Sequence, residues 1–376
     1  MANTLTPRVQ KLREHYFAAL PEICVERPRL VTEYYLDKGL FKKEKISILD
    51  KAEMYRHILE KRTPIVWHNK GHKKGMVPFE FEDGSLFAGS TTSKFKGVPL
   101  YPELLALMLW PELWTITKRK SNPFYISDEE VEKLNYDIFP HWIENNIMEL
   151  ARKRYPDEYT KSGFKLLERL VFFMASKPNC ISHTIPDFSR AIKEGLRAII
   201  IDANNRNNKT TDNSKKDFYT AITEVLEGII TYSKNLAKKA REMANSETDP
   251  TRKQELTKIA EINEKVPEHA ATTFREGLTT VWICWTAIHL ENPNIGLSLG
   301  RLDQVLYDLY RKDIDAGTMT VEEAIELISC LWLKIGDHVP MITDAGEQLF
   351  GGTGSNQAIT IGGIDKEGND AVNDLT

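Results

Sequence analysis

The chain has 376 residues, 41% of them apolar, enough for about two domains with sizeable cores. Fifty Lys plus Arg stand against 54 Asp plus Glu, a formal net charge of −4, so no global basic field draws it to nucleic acid or to an anionic membrane. Its longest apolar stretches, such as 281–290, are broken by His or charge within about ten residues, short of the ~20 that a membrane-spanning helix needs.

Residues 1–6 are polar and lead straight into an amphipathic stretch, without the charged start and apolar middle of a secretory signal, which points to the cytoplasm. The first helix is expected from Pro7 to about Leu20, where Val9, Leu12, Tyr16, Phe17 and Leu20 share a face. A second follows from Pro28 through Tyr35. The stretch from Pro64 to Pro102 is different, with glycines alternating with short apolar or β-branched runs, and reads as loops and short strands. Ser127-Asp-Glu-Glu130 is a capping box that should open a helix. The polar run from Asn204 to Lys216 reads as a solvent-exposed loop, because it cannot bury enough apolar surface to hold structure on its own. Helical periodicity resumes from Asp217 to Ala244, with a partner helix from Lys253 to Lys265.

Two further capping boxes, Thr273-Phe-Arg-Glu276 and Thr320-Val-Glu-Glu323, precede helices at 278–290 and 325–335. The second carries an apolar stripe of Val321, Ala324, Ile325, Ile328, Leu331, Trp332 and Ile335, suited to packing against a sheet or barrel wall. Ala358-Ile-Thr-Ile361 reads as a short β-type run between Gly351-Gly352 and Gly362-Gly363. No internal repeat or strong linker stands out. The coarse division is a helical region over 1–266 followed, over 267–376, by the opening of an α/β barrel.

No single motif fixes a chemistry. The four cysteines, Cys24, Cys180, Cys284 and Cys330, are far apart and form no Cys-x-x-Cys pair, so buried free thiols are expected rather than a zinc cluster or disulfides. His68 and His72 have helical ligand spacing, but glycine and lysines surround them and a surface loop is the expectation. Gly351 to Ser355 could cradle a phosphate, although no Lys-Ser/Thr pair follows. His183 sits in a polar turn just before Pro186, where an imidazole can bind a substrate oxygen or move a proton, or simply cap the turn. Arg301 with Asp303 reads either as an anion clamp or, more in keeping with its setting, as a buried ion pair.

Four ordered blocks carry a family resemblance. Ser182-His-Thr-Ile-Pro-Asp-Phe188 with Lys193-Glu-Gly-Leu196, Thr273-Phe-Arg-Glu-Gly277, Ser298-Leu-Gly-Arg-Leu-Asp-Gln304 with Tyr307, and Gly351-Gly352 through Gln357 to Gly362-Gly363 resemble the N-terminal half of glycyl radical enzymes of the pyruvate formate-lyase-like family. The dehydratase and arylacetate decarboxylase branches are the nearest in pattern. The resemblance implies an α/β fold, a mostly helical N-terminal region leading into the first part of a ten-stranded α/β barrel of the pyruvate formate-lyase type. It implies a lyase acting on a C–O, C–C or C–S bond of a small acid or alcohol. His183, Ser298, Asn356 and Gln357 would line the substrate cavity, and tyrosine stands in some members where Asn356 stands here.

In that family an activating enzyme with S-adenosylmethionine and an iron–sulfur cluster installs a glycyl radical near the C-terminus. The radical then makes a cysteine thiyl in a Gly-Cys-x-Glu loop. Neither that loop nor the terminal Arg-Val-x-Gly-Tyr-type motif occurs in these 376 residues. No catalytic residue, bound cofactor or metal ligand is therefore assigned to this chain, which is expected to be inactive alone. Its expected partners are a small-molecule substrate, the activating enzyme, and further copies or a separate C-terminal half. The alternative is a non-catalytic scaffold that binds such a half.

Overall fold

The computed structural model describes residues 5–104, 106–154, 158, 161–162, 184–293, 296–344, 346–347 and 357–376. Helices dominate these residues, and several of them start on a side-chain cap. Helix α1 (Pro7–Ala18) opens on Thr6, whose hydroxyl accepts from Val9 N, with proline in the first turn where its missing N–H costs nothing. After strand β1 (Glu22–Cys24) comes α2 (Glu26–Asp37), then α3 (Ile48–Lys61), which the sequence reading did not anticipate. Its start is a reciprocal box between Ser47 and Asp50, with Asp in place of the usual Glu.

The glycine-punctuated stretch after Pro64 resolves as expected into short strands: β2 (Lys70–Lys73) pairs antiparallel with β3 (Val77–Glu80), and β4 (Gly97–Pro99) lies parallel to β1. The short helices α4 (Asp128–Glu132), α5 (Phe139–Trp142) and α6 (Ile147–Arg154) follow, α4 opening on the Ser127–Glu130 box. Around β1 and β4 these elements bury Ile23, Val98, Phe124 and Trp142 in one of two apolar cores.

The larger core belongs to the long helices. α7 (Phe188–Glu194) and α8 (Leu196–Lys209) lead into α9 (Asn213–Ser246), which packs on α3, α8 and α10 (Pro250–Lys265). The polar run 204–216 is thus helical except for Thr210–Asp212, a correction to the expected loop. Asp212 caps α9 by accepting from Ser214 N and Lys215 N, while Asn207 and Asn204 hydrogen bond to Thr220 and Thr223 across the helix pair. Packing of the neighbouring apolar turns supplies what this segment lacks by itself. Gly228 lets α9 come close to α3: a Cβ there would sit 3.1 Å from Arg56 Cα.

At the centre runs α11 (Phe274–Glu291), apolar on all sides, with fifteen of its eighteen residues buried. α12 (Leu302–Val305), α13 (Tyr307–Asp315) and α14 (Val321–Gly336) complete the described helices. α14 starts on a full Thr320–Glu323 box. It buries Ala324, Leu327, Cys330, Leu331 and Ile335, but Val321, Ile325 and Trp332 from the expected stripe remain exposed. Among the described residues it packs on α1 and α11, not on a sheet. One continuous core joins Val9 in α1 to Ile335 in α14. Among the described residues no helix is long and apolar enough to cross a membrane.

Two expectations follow. Gly195, between α7 and α8, has φ +77°, and a Cβ there would lie 2.6 Å from the backbone of Glu268 and His269. Gly195→Ala should cost at least about 2 kcal/mol in urea unfolding, because neither the dihedral nor the neighbouring backbone can yield. His289 is fully buried, its Nδ1 donating to Trp285 O at 2.9 Å. Burial pushes its imidazole down to about 4 from 6.5, and burial together with His289 also lowers His338. Each imidazole takes a proton more readily in the unfolded chain, so stability is full above pH 6.5 and is lost as pH falls toward the folded-state value. For His289 alone, unfolding free energy should drop by about 2 kcal/mol between pH 7 and 5, and His338 adds a loss of the same sign. A flat profile in that window would contradict the burial.

Candidate functional site

Beyond α11 the chain straightens at 297–300. Leu297 and Leu299 enter the core, while Ser298 between them faces the other way and is only partly buried, the period-two alternation of an extended segment. Ser298 N donates to Thr184 O at 2.8 Å. On the opposite side Ala358 N donates to Leu297 O, Leu299 N to Ala358 O and Thr360 N to Gly300 O, at 3.0, 2.7 and 3.1 Å. Ser298 and Ala358 form a parallel bridge. Segments more than 50 residues apart thus lie side by side, with 297–300 in the middle. The expected β run at 358–361 is realised as this one bridge, and Ile359 and Ile361 are exposed.

His183 and Asn356 lie outside the described residues, as do Cys180 and the glycine-rich loop 351–355. The residues that follow the first two in the chain, Thr184 and Gln357, are described, and both are at this edge. Gln357 does not share the Ser298 face. Its Oε1 accepts from Trp285 Nε1 at 2.9 Å, which turns the side chain toward α11, the side on which Leu297 and Leu299 are buried. The physical reason is that a fully buried indole N–H must find an acceptor, and alternation leaves Gln357 on the helix side. Trp285 itself is stacked between Trp282 and His289, with centroids 5.3 and 3.8 Å away. A Trp in an otherwise apolar buried helix signals that a polar partner must come from elsewhere.

Arg301 and Asp303 form neither an anion clamp nor an ion pair with each other. Arg301 Nη1 and Nη2 donate to Ile364 O and Gly362 O at 2.6 and 2.5 Å. Asp303 Oδ2 accepts from Gly362 N at 2.7 Å and from Thr376 Oγ1 at 2.8 Å. Burial opposes ionisation of Asp303, but these hydrogen bonds outweigh it and hold the carboxyl below its usual range. The pair grips one turn from two sides.

The two histidines at helical spacing are not on a helix, and the expected surface loop is corrected as well. His68 is 5% exposed, its backbone N–H donates to Asp83 Oδ2 at 2.9 Å, and its Nε2 lies 3.3 Å from Asp337 Oδ2. His72 is on β2, its Nδ1 2.9 Å from the buried Glu22 carboxylate and its ring stacked on Tyr125. It borders a cleft of about 870 Å³ whose wall also includes Trp67, Phe79, Lys94 and Glu130. Among the described residues no three His, Cys, Asp or Glu side chains are grouped to hold a metal. Cys24, Cys284 and Cys330 are buried free thiols; burial raises all three, Cys284 and Cys330 to about 12, which leaves them protonated and poor nucleophiles.

Known proteins resemble this chain in both sequence and overall fold. The chain is 29% identical over 384 residues to isethionate sulfite-lyase of Nitratidesulfovibrio vulgaris, covering 98% of this chain and 45% of that protein. Its structure matches a glycyl radical enzyme from Archaeoglobus fulgidus with a TM-score of 0.83 at 30% identity, covering 98% of this chain and 45% of the other. It also matches the glycerol-bound B12-independent glycerol dehydratase from Clostridium butyricum with a TM-score of 0.85 at 28% identity, over 100% and 45%. The chain therefore spans less than half the length of these relatives and corresponds to the N-terminal portion of their fold. With the pyruvate formate lyase-like family model matching residues 3–376, the chain belongs to that family of glycyl radical lyases.

Proposed function

We propose that this chain supplies one wall of the substrate cavity of a glycyl radical lyase that breaks a C–O, C–C or C–S bond in a small acid or alcohol. The observation that supports this most is the convergence at Ser298. Thr184, directly after His183, lies on one side of it, and Ala358, two residues after Asn356, lies on the other. In this reading the Ser298 hydroxyl, the His183 imidazole and the Asn356 amide hold the oxygen atoms of the substrate. Gln357 braces the same segment from behind, through Trp285. The glycyl radical and the cysteine thiyl supply hydrogen abstraction. Because neither motif occurs in this sequence, turnover requires a protein segment that carries them, together with the S-adenosylmethionine and iron–sulfur activating enzyme. The setting is the cytoplasm. A dehydratase and a sulfite-lyase are equally consistent with the relatives.

A second reading, a non-catalytic scaffold for such a segment, is favoured by one observation. Around Ser298 the side chains of Ile185, Ile361, Ile364 and Val372 are 70%, 52%, 65% and 61% exposed, an apolar fringe of the kind partners cover. By itself the chain should elute from size-exclusion chromatography as oligomers, and a clean monomer would argue against an uncovered barrel edge. The enzyme reading is tested by combining the chain with a separately expressed C-terminal half and the activating enzyme under anaerobic conditions. A doublet glycyl radical signal in electron paramagnetic resonance, with turnover of isethionate or glycerol lost in Ser298→Ala, is the expected result. A folded pair that shows neither radical nor turnover leaves the scaffold.

A further inference from the structure

From the packing under the C-terminal end of α14 we infer that a single ordered water molecule is built into the fold, bridging Lys334, His68 and the carboxylates of Asp83 and Asp337. These residues, with Tyr16 and Ser85, line a cavity of about 20 Å³. A water needs roughly 10–15 Å³ of such space and two to four polar partners. The space therefore suits one water and excludes an organic ligand.

The polar groups at this cavity are incompletely used. Lys334 is 6% exposed, and its Nζ has no hydrogen-bond partner; its charge lies 5.6 Å from the Trp282 ring and helps hold the Asp337 carboxyl below its usual range. His68 Nε2 lies 3.3 Å from Asp337 Oδ2, a contact that helps hold the same carboxyl down but is not a well-aligned hydrogen bond. Asp83 accepts from Ser85 N and His68 N, one bond on each oxygen. Asp337 accepts from Ser90 Oγ at 3.2 Å and from Lys96 N. The two Asp83 oxygens and Asp337 Oδ1 each keep a further lone pair for an incoming donor.

The mixture of groups decides the occupant. A cation would meet the Lys334 ammonium, and an anion would meet two aspartates. Water both accepts from the lysine and donates to carboxylates, and it is small enough for the space, so it satisfies the two sets together. The bridge would tie α14, through Lys334 and Asp337, to the loop that carries His68, Asp83 and Ser85. It has no part in the substrate chemistry proposed above.

A crystal structure of the unmodified chain at a resolution that shows ordered water tests this directly. The expected result is one peak in the cavity, 2.7–3.2 Å from Lys334 Nζ and from at least one Asp83 or Asp337 oxygen. An empty cavity, a direct contact between Lys334 Nζ and Asp337, or a peak with the coordination distances of a metal ion would each overturn the bridge. Lys334→Met, which keeps length and removes the ammonium, should fold and lose the peak. Retention of the peak at unchanged position in that variant would remove the lysine from the proposed site and equally overturn it. Should the variant not fold, the unmodified structure decides alone.

Discussion

The architecture depends on burying α11 from every side. A helix with no solvent face gains a large apolar contact, and most of the polar groups it carries must then find partners inside the protein. At its start Thr273 accepts from Glu276 N, and Phe274 N donates to Asp313 Oδ2 across to α13. Glu276 does not close the box on Thr273; it accepts from Thr272 and Lys265 instead. Farther along, Trp282 Nε1 donates to Ala88 O and Trp285 Nε1 to Gln357 Oε1. Each requirement recruits a different part of the chain, so loop 85–90, α13 and the segment after residue 357 are all located by the needs of one helix.

That dependence explains what could be read in advance. Helix starts were legible because capping is settled within four residues: Ser127–Glu130 and Thr320–Glu323 close as the local chemistry demands. α3 escaped notice although its Ser47–Asp50 box obeys the same rule with a shorter acid. The polar run 204–216 misled because its stability comes from the helix pair on either side, a property no window of thirteen residues contains. Family membership is shown over residues 3–376, and two of the segments that carried the resemblance, around Ser298 and Ala358, lie side by side in the fold.

Side-chain direction was the part that sequence could not carry. Ser298 and Gln357 belong to one neighbourhood but face apart, since a single-residue step in extended chain reverses the side. The same holds for His68, whose glycine- and lysine-rich surroundings suggest exposure although Asp83 and Asp337 draw it inside. Arg301 and Asp303 look like partners two residues apart, yet each answers backbone groups more than fifty residues later.

This last arrangement acts as a key of polarity. Asp303 can only accept and Arg301 can only donate, so the N–H and carbonyl groups of the turn at 362–364 fit in one alignment. Slipping the chain by one residue would set a carbonyl against the carboxylate. Gln304 and Asn373 reinforce the same alignment through Ala371 O and Asp303 O. The threading of the 357–376 segment beside Ser298 is therefore decided by hydrogen-bond direction, and sequence drift among its exposed isoleucines and valines can proceed without disturbing where the segment lies.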